Sequence, residues 1–160
     1  MYNAGSGEEP EMPFAAEVSI AQFEEQDLTA VRSLLRFFGT DQSSAEELNS
    51  RLTLISQHPD QSLWVARVNG QVIGFLGFRI RHNLESASDY GEVSIIVVDE
   101  RWRRHGVGQL LLDHAEVLAR KHGCIGLWLV SGFGRETEAH KLYERAGFSK
   151  TGFRFVKRLM

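Results

Sequence analysis

The spacing of apolar residues changes period several times along this chain, and each change predicts an element. Over residues 26–38, Leu28, Val31, Leu34 and Leu35 fall on one side of a 3.6-residue period, which predicts a helix that Gly39 stops. A second helix is predicted after Ser43 or Ser44, either of which can cap it, with Glu46 and Glu47 in its first turn. Leu48, Leu52 and Ile55 are its stripe, and Pro59 lies beyond its end. Residues 17–23 alternate loosely, as a first strand would. Residues 62–68 and 71–80 read as two strands joined by Asn69-Gly70, a dipeptide suited to a two-residue hairpin. Residues 81–90 are polar and predict a loop, and residues 92–98 an apolar central strand. Leu111, Leu112, Ala115, Leu118 and Ala119 then mark a helix running to about His122, with basic residues in its last turn and Gly123 after it. Residues 125–130 predict another buried strand, residues 131–134 a loop, and residues 137–146 a short helix stopped by Gly147. Residues 148–159 hold two strand-like pieces around Gly152. Helices alternate with strands while the hairpin demands antiparallel pairing. The expected fold class is therefore α+β, built on one mixed sheet.

The stretch with most chemical content is Arg103-Arg104-His105-Gly106-Val107-Gly108. It links the central strand to the start of a helix. The first N–H groups of a helix have no intrahelical partner, and the helix dipole favours negative charge there. Glycines let backbone approach phosphate oxygens, and arginines add charge and paired donors. Together these features suit a segment that holds a pyrophosphate. A Walker A loop is excluded because Gln109 follows Gly108, and a dinucleotide fingerprint because Leu111 stands where its third glycine belongs.

The pattern Arg-x-x-Gly-x-Gly resembles the acyl-CoA loop of the GCN5-related N-acetyltransferases (GNAT). A second signature, Glu138-Ala139-His140-Lys141-Leu142-Tyr143-Glu144-Arg145-Ala146-Gly147-Phe148, resembles the short helix of the same superfamily. The resemblance covers roughly residues 14–160, with its specific motifs between Glu92 and Phe148. It implies a GNAT-like fold, with acyl-CoA in the splay of a curved mixed sheet, and direct transfer of an acetyl group from acetyl-CoA to a primary amine. On this resemblance Arg103 and Arg104 touch phosphate, while His105, Gly106, Val107, Gly108 and Gln109 complete the loop, mainly through backbone N–H groups. The edge of the central strand at Ile96, Val97 and Val98 pairs with the pantetheine amides. Tyr143 stands where the general acid beside the thiol is often found. Glu92 stands where some members keep a general base, with Asp89 and Glu85 as competitors. Trp102 reads as packing for the turn, and His140 as structural. Two departures from the pattern are Glu100, where many relatives have proline, and Glu136, where many have asparagine.

Composition adds bounds. The 160 residues suffice for one domain, 14–160, behind a loose tail at 1–13 that lacks the features of a secretory or transit signal. The single cysteine, Cys124, excludes an intrachain disulfide and reads as a buried inert thiol. No histidine pairing suggests a metal site, and no apolar run is long enough to cross a bilayer. A cytoplasmic setting fits these features. The net charge of −3 divides unevenly: residues 1–100 carry 6 basic and 16 acidic side chains, and residues 101–160 carry 12 and 5. A basic half suits a polyanionic carrier and an acidic half an amine. No basic run is interleaved with aromatics, so nucleic acid is not the expected partner. The expected reading is an N-acetyltransferase of a small-molecule amine, with acetyl-CoA as co-substrate and no metal. A protein lysine or N-terminal acetyltransferase and a non-catalytic acyl-CoA-binding module remain open. A homodimer through the C-terminal strands is in keeping with the family resemblance.

Overall fold

The computed structural model describes residues 17–38, 44–131 and 138–159. The N-terminal tail, Gly39, Ser43, most of the 131–134 loop and Glu136 lie outside them. The chain opens with β1 (Ser19–Gln22), then α1 (Leu28–Leu35) between two short 3-10 turns, and α2 (Ala45–Ser56). Ser44 caps α2. Its hydroxyl accepts from the Glu47 N–H, and the Glu47 carboxylate accepts from the Ser44 N–H. β2 (Gln61–Val68) and β3 (Gln71–His82) form the hairpin. Asn69 and Gly70 both take positive φ, as a type I′ turn requires. β4 (Asp89–Val98), α3 (Val107–Lys121), β5 (Gly126–Leu129) and α4 (Ala139–Arg145) follow.

The five strands lie in the order β1-β2-β3-β4-β5. The first three pairings are antiparallel, and the last, across the α3 connection, is parallel. The mixed sheet is the expected one. The region predicted as a loop over residues 81–90 is shorter than expected. Arg81 pairs with Tyr90 and His82 with Asp89, so the polar side chains there sit on a protruding ladder whose backbone bonds do not depend on burial.

Each face of the sheet carries its own core. Ile73, Leu76, Phe78 and Val93 pack under Leu111, Leu112 and Ala115 of α3. Leu63, Val65, Phe75 and Val97 on the opposite face pack under Val31 and Leu34 of α1 and Leu52 of α2. Asp27, at the start of α1, is 2% exposed. It accepts a hydrogen bond from Arg67 at 2.7 Å and another from the Glu24 N–H, which ties the first helix to β2.

The two strand-like pieces expected within 148–159 do not form. Residues 149–159 carry no strand, and Phe153 and Phe155 are 83% and 93% exposed. Alternation gives a strand two faces but not a partner, and the described part of the chain supplies neither a ladder nor a core for this one. No helix among the described residues is long and apolar enough to cross a membrane.

Candidate active site

Two irregularities in β4 open the sheet where the chemistry was expected. The register between β3 and β4 slips by one: Phe78 faces Val93 and Gly77 faces Ile95, leaving Ser94 as a bulge. Gly77 makes room for it, since a Cβ there would lie 2.6 Å from Ser94 Oγ and 2.9 Å from Ile95 Cγ2. The parallel ladder to β5 starts at Tyr90 and stops at Val93. Beyond the bulge Ile95, Ile96, Val97 and Val98 stay paired to β3 on one side, while no strand among the described residues takes the other. The open edge leads toward the start of α3, which Val98 reaches through a turn. Asp99 there donates its N–H to Ile73 and accepts from the Arg101 N–H.

The turn presents backbone donors. Arg104 and Gly106 both have positive φ, at 63° and 80°, and this double reversal sets the first residues of α3 at the end of the slot. Gly106 is the N-cap and no side chain caps the helix. The first intrahelical bond runs from the Leu110 N–H to the Gly106 carbonyl, so the N–H groups of Val107, Gly108 and Gln109 precede the ladder. His105 braces the loop through Nδ1, 2.6 Å from the Arg103 carbonyl. The Gln109 side chain donates to Asp113 Oδ1 at 2.8 Å, one turn further along α3.

The arginines divide their tasks. Arg103 donates from Nε to the Val98 carbonyl, and its guanidinium lies 4.1 Å from the centre of the Phe37 ring, so it braces the turn against the end of α1. Arg104 is exposed and forms an ion pair with Glu138 at the start of α4, and that guanidinium holds the Glu138 carboxyl below its ordinary pKa. Arg101 is taken by Asp99 at 2.8 Å. Trp102 is partly buried against the α3 core, as expected of a packing residue.

The two signatures meet at one contact. A Cβ on Gly108 would lie 2.9 Å from Leu142 Cδ2, so the glycine lets α4 lie against the first turn of α3. Tyr143, next to Leu142, packs against the same core as Val107, Ile96 and Val98, with its ring edge-on to Phe148 at 6.2 Å. His140 pairs with Ser131 at 3.1 Å, a bracing contact. Burial, with help from Asp89, raises the Cys124 thiol, which makes it a poor nucleophile.

Glu92 has another occupation than the one expected of a free base. It is 5% exposed, and its two oxygens accept from Arg79 Nε and Nη, each at 2.7 Å. Arg81 Nε lies 3.5 Å from the same carboxylate. Lone pairs engaged this way are not directed at an incoming amine. Of the competitors, Asp89 is engaged by His82 at 2.9 Å, and Glu85 lies on an exposed turn away from the bulge, its backbone N–H donating to Asn83 Oδ1. Arg79 and Arg81 escaped sequence reading. The signal that could have placed Arg79 beside Glu92 is the β3–β4 register counted back from the 83–88 connection, where His82 faces Asp89.

The model of the acetyltransferase (GNAT) family matches residues 28–148. The chain belongs to that family. The matched stretch takes in both signatures and every strand except β1. An aminoalkylphosphonate N-acetyltransferase of Salmonella typhimurium is 33% identical over 101 residues, which is 63% of this chain and 65%, under two thirds, of that relative. Among solved structures, one titled a transcriptional regulator from Bacillus halodurans superposes with a TM-score of 0.82 at 19% identity, covering 89% of this chain and 99% of that one. An aminoglycoside N-acetyltransferase, AAC(6')-Iy, in complex with CoA gives 0.78 at 21%, with 89% and 94% covered. At such identities these structures show the GNAT fold alone.

Proposed function

We propose that this chain is an N-acetyltransferase that moves the acetyl group of acetyl-CoA directly to the primary amine of a small molecule. One observation carries the reading: a strand edge left open beyond a bulge points at an uncapped helix start, with a tyrosine-bearing helix packed against that start. An open strand edge suits a carrier whose arm contains amides, because it offers alternating N–H and C=O groups. An uncapped helix start suits a diphosphate, and Gly108, lacking a side chain, lets the Tyr143 helix lie against that start. The name of the Salmonella relative supports a small amine over a protein acceptor.

The residues then have these tasks. The N–H groups of Val107, Gly108 and Gln109 hold the diphosphate, with Arg104 released from Glu138 to add charge. The backbone at Ile96–Val98 aligns the arm and polarises the thioester carbonyl. The neutral amine attacks the carbonyl carbon, a C–N bond forms, the C–S bond breaks, and the electron pair leaves with sulfur. The Tyr143 hydroxyl donates to that sulfur, first as a hydrogen bond and then as a proton. The proton lost by the amine leaves through water, since both Glu92 oxygens are committed to Arg79.

The test is free-thiol release from acetyl-CoA across a panel of amines, beside melting curves with and without CoA. Amine-dependent thiol release and a CoA-dependent rise in melting temperature are expected. Absence of both would overturn the assignment.

A further inference from the structure

The cluster around Glu92 has a use that acetyl transfer alone does not give it. Along β3, Phe75, Gly77, Arg79 and Arg81 alternate onto the face covered by α1 and α2, and Phe75 belongs to the core on that side. Glu92 is the cross-strand partner of Arg79. The cluster holds one carboxylate, nearly buried, and two guanidiniums whose side chains are 37% and 52% exposed. Among the described residues no other acid pairs with either arginine. The cluster therefore keeps a surplus positive charge. Glu92 engages one edge of the Arg79 fork, so the planar group is fixed and its remaining N–H donors face away from the carboxylate. The bond with Glu92 raises the Arg79 pKa further, so that charge is permanent.

The position is as telling as the charge. α3 packs on the other face of the sheet, which leaves the α1–α2 side for an acceptor to approach the bulge. Arg79 stands two residues along β3 from Gly77, the partner of bulge neighbour Ile95. That is about 7 Å. That is a separation between backbone positions, and a short spacer ending in one hydrogen bond of about 3 Å suits that order of length. Resting on the transfer activity proposed above, we infer that Arg79 and Arg81 form an anion subsite for the acceptor, which is a short primary amine carrying a phosphonate, phosphate or carboxylate at its far end. Arg79 and Arg81 set specificity, and Glu92 is a positioning residue that holds the Arg79 fork.

The experiment compares amines of matched length with the full chain and acetyl-CoA: 2-aminoethylphosphonate, β-alanine, ethanolamine and 1,3-diaminopropane. The two anionic amines should exceed ethanolamine by about tenfold or more in kcat/KM, the size of one charge-assisted contact. Their order tells which anion the fork prefers. Arg81→Gln should raise KM for the anionic amines about tenfold while leaving KM for acetyl-CoA in place, and Arg81→Glu should turn the preference toward the diamine. Glu92→Gln should raise KM for anionic amines yet keep kcat at saturation, whereas loss of a general base would lower kcat. Equal use of ethanolamine and the anionic amines, or an Arg81→Gln effect shared by every amine, would overturn the subsite and leave acetyl transfer standing. No thiol release with any amine, together with no stabilisation by CoA, would overturn both.

Discussion

The contact between Gly108 and Leu142 joins the phosphate loop to the Tyr143 helix, and a single methyl group tests the joint. In Gly108→Ala the new Cβ would sit 2.9 Å from Leu142 Cδ2. Carbon atoms rest at about 3.5–4.0 Å, so between about half an ångström and one ångström must be recovered. Two outcomes compete. Leu142 alone can rotate, or α4 can move away and carry Tyr143 with it. Overpacking of this kind costs about 1–3 kcal/mol, while replacing glycine by alanine inside a helix returns up to about 1 kcal/mol. The net loss should be about 1 kcal/mol, or a fall in melting temperature of about 2–4 °C. Activity should suffer more than stability, because a misplacement near 1 Å can cost about a hundredfold in rate. The assay is steady-state thiol release with the best amine, beside melting curves with CoA. Leu142→Ala in the same chain removes the obstructing methyl groups, so the double variant should recover part of the lost kcat with a coupling of about 1 kcal/mol. Wild-type kcat and wild-type stabilisation by CoA in Gly108→Ala would show that the loop and α4 are not mechanically joined.

Tyr143→Phe keeps the ring against Phe148 and removes only the hydroxyl. It should lower kcat by about a hundredfold or more with little change in KM for acetyl-CoA, as steady-state kinetics would show. Asp27→Ala leaves the Arg67 guanidinium without its buried partner and should cost about 3 kcal/mol in urea denaturation, with the acetyl-CoA KM unchanged. His114 lies edge-on to Trp64 at 4.3 Å, its buried Nε2 has no hydrogen-bond partner among the described residues, and burial holds its pKa below the ordinary value of 6.5. A histidine depressed in the folded state favours the fold fully above its unfolded pKa and loses that margin as pH falls toward the folded one. His114→Phe should therefore flatten the decline in melting temperature below about pH 6.5, and a wild-type slope would refute this.

The chain displays its fold wherever local chemistry decides. Ser44 and Glu47 form their capping box from four adjacent residues, and Asn69-Gly70 turns the hairpin with no help from elsewhere. The α3 stripe was equally plain, because one face of that helix is buried along nearly its whole length. Residues 148–159 show the opposite case. Their alternation is as regular as that of β2, yet a strand exists only when another strand accepts it, and that depends on the whole molecule rather than on the segment.

The same division holds at the site. The loop was readable because Gly106 and Gly108 are there for backbone reasons: one takes a left-handed φ and the other leaves space for Leu142. A glycine requirement shows in sequence. The bulge at Ser94 does not, since serine tolerates the conformation without being demanded by it, and only the slip between the β3 and β4 registers reveals it. Glu92 is the sharpest instance. As a letter in the chain it is a carboxylate at the start of an apolar strand, a good position for a base. What it does depends on Arg79, thirteen residues earlier, and on a ladder that sets the two side by side on one face. A carboxylate's chemistry belongs to its neighbours, so a residue whose neighbours come from another strand cannot be assigned from its own strand. The subsite proposed for the acceptor rests on one such cross-strand pair, Arg79 with Glu92, which is why neither strand read alone points to it.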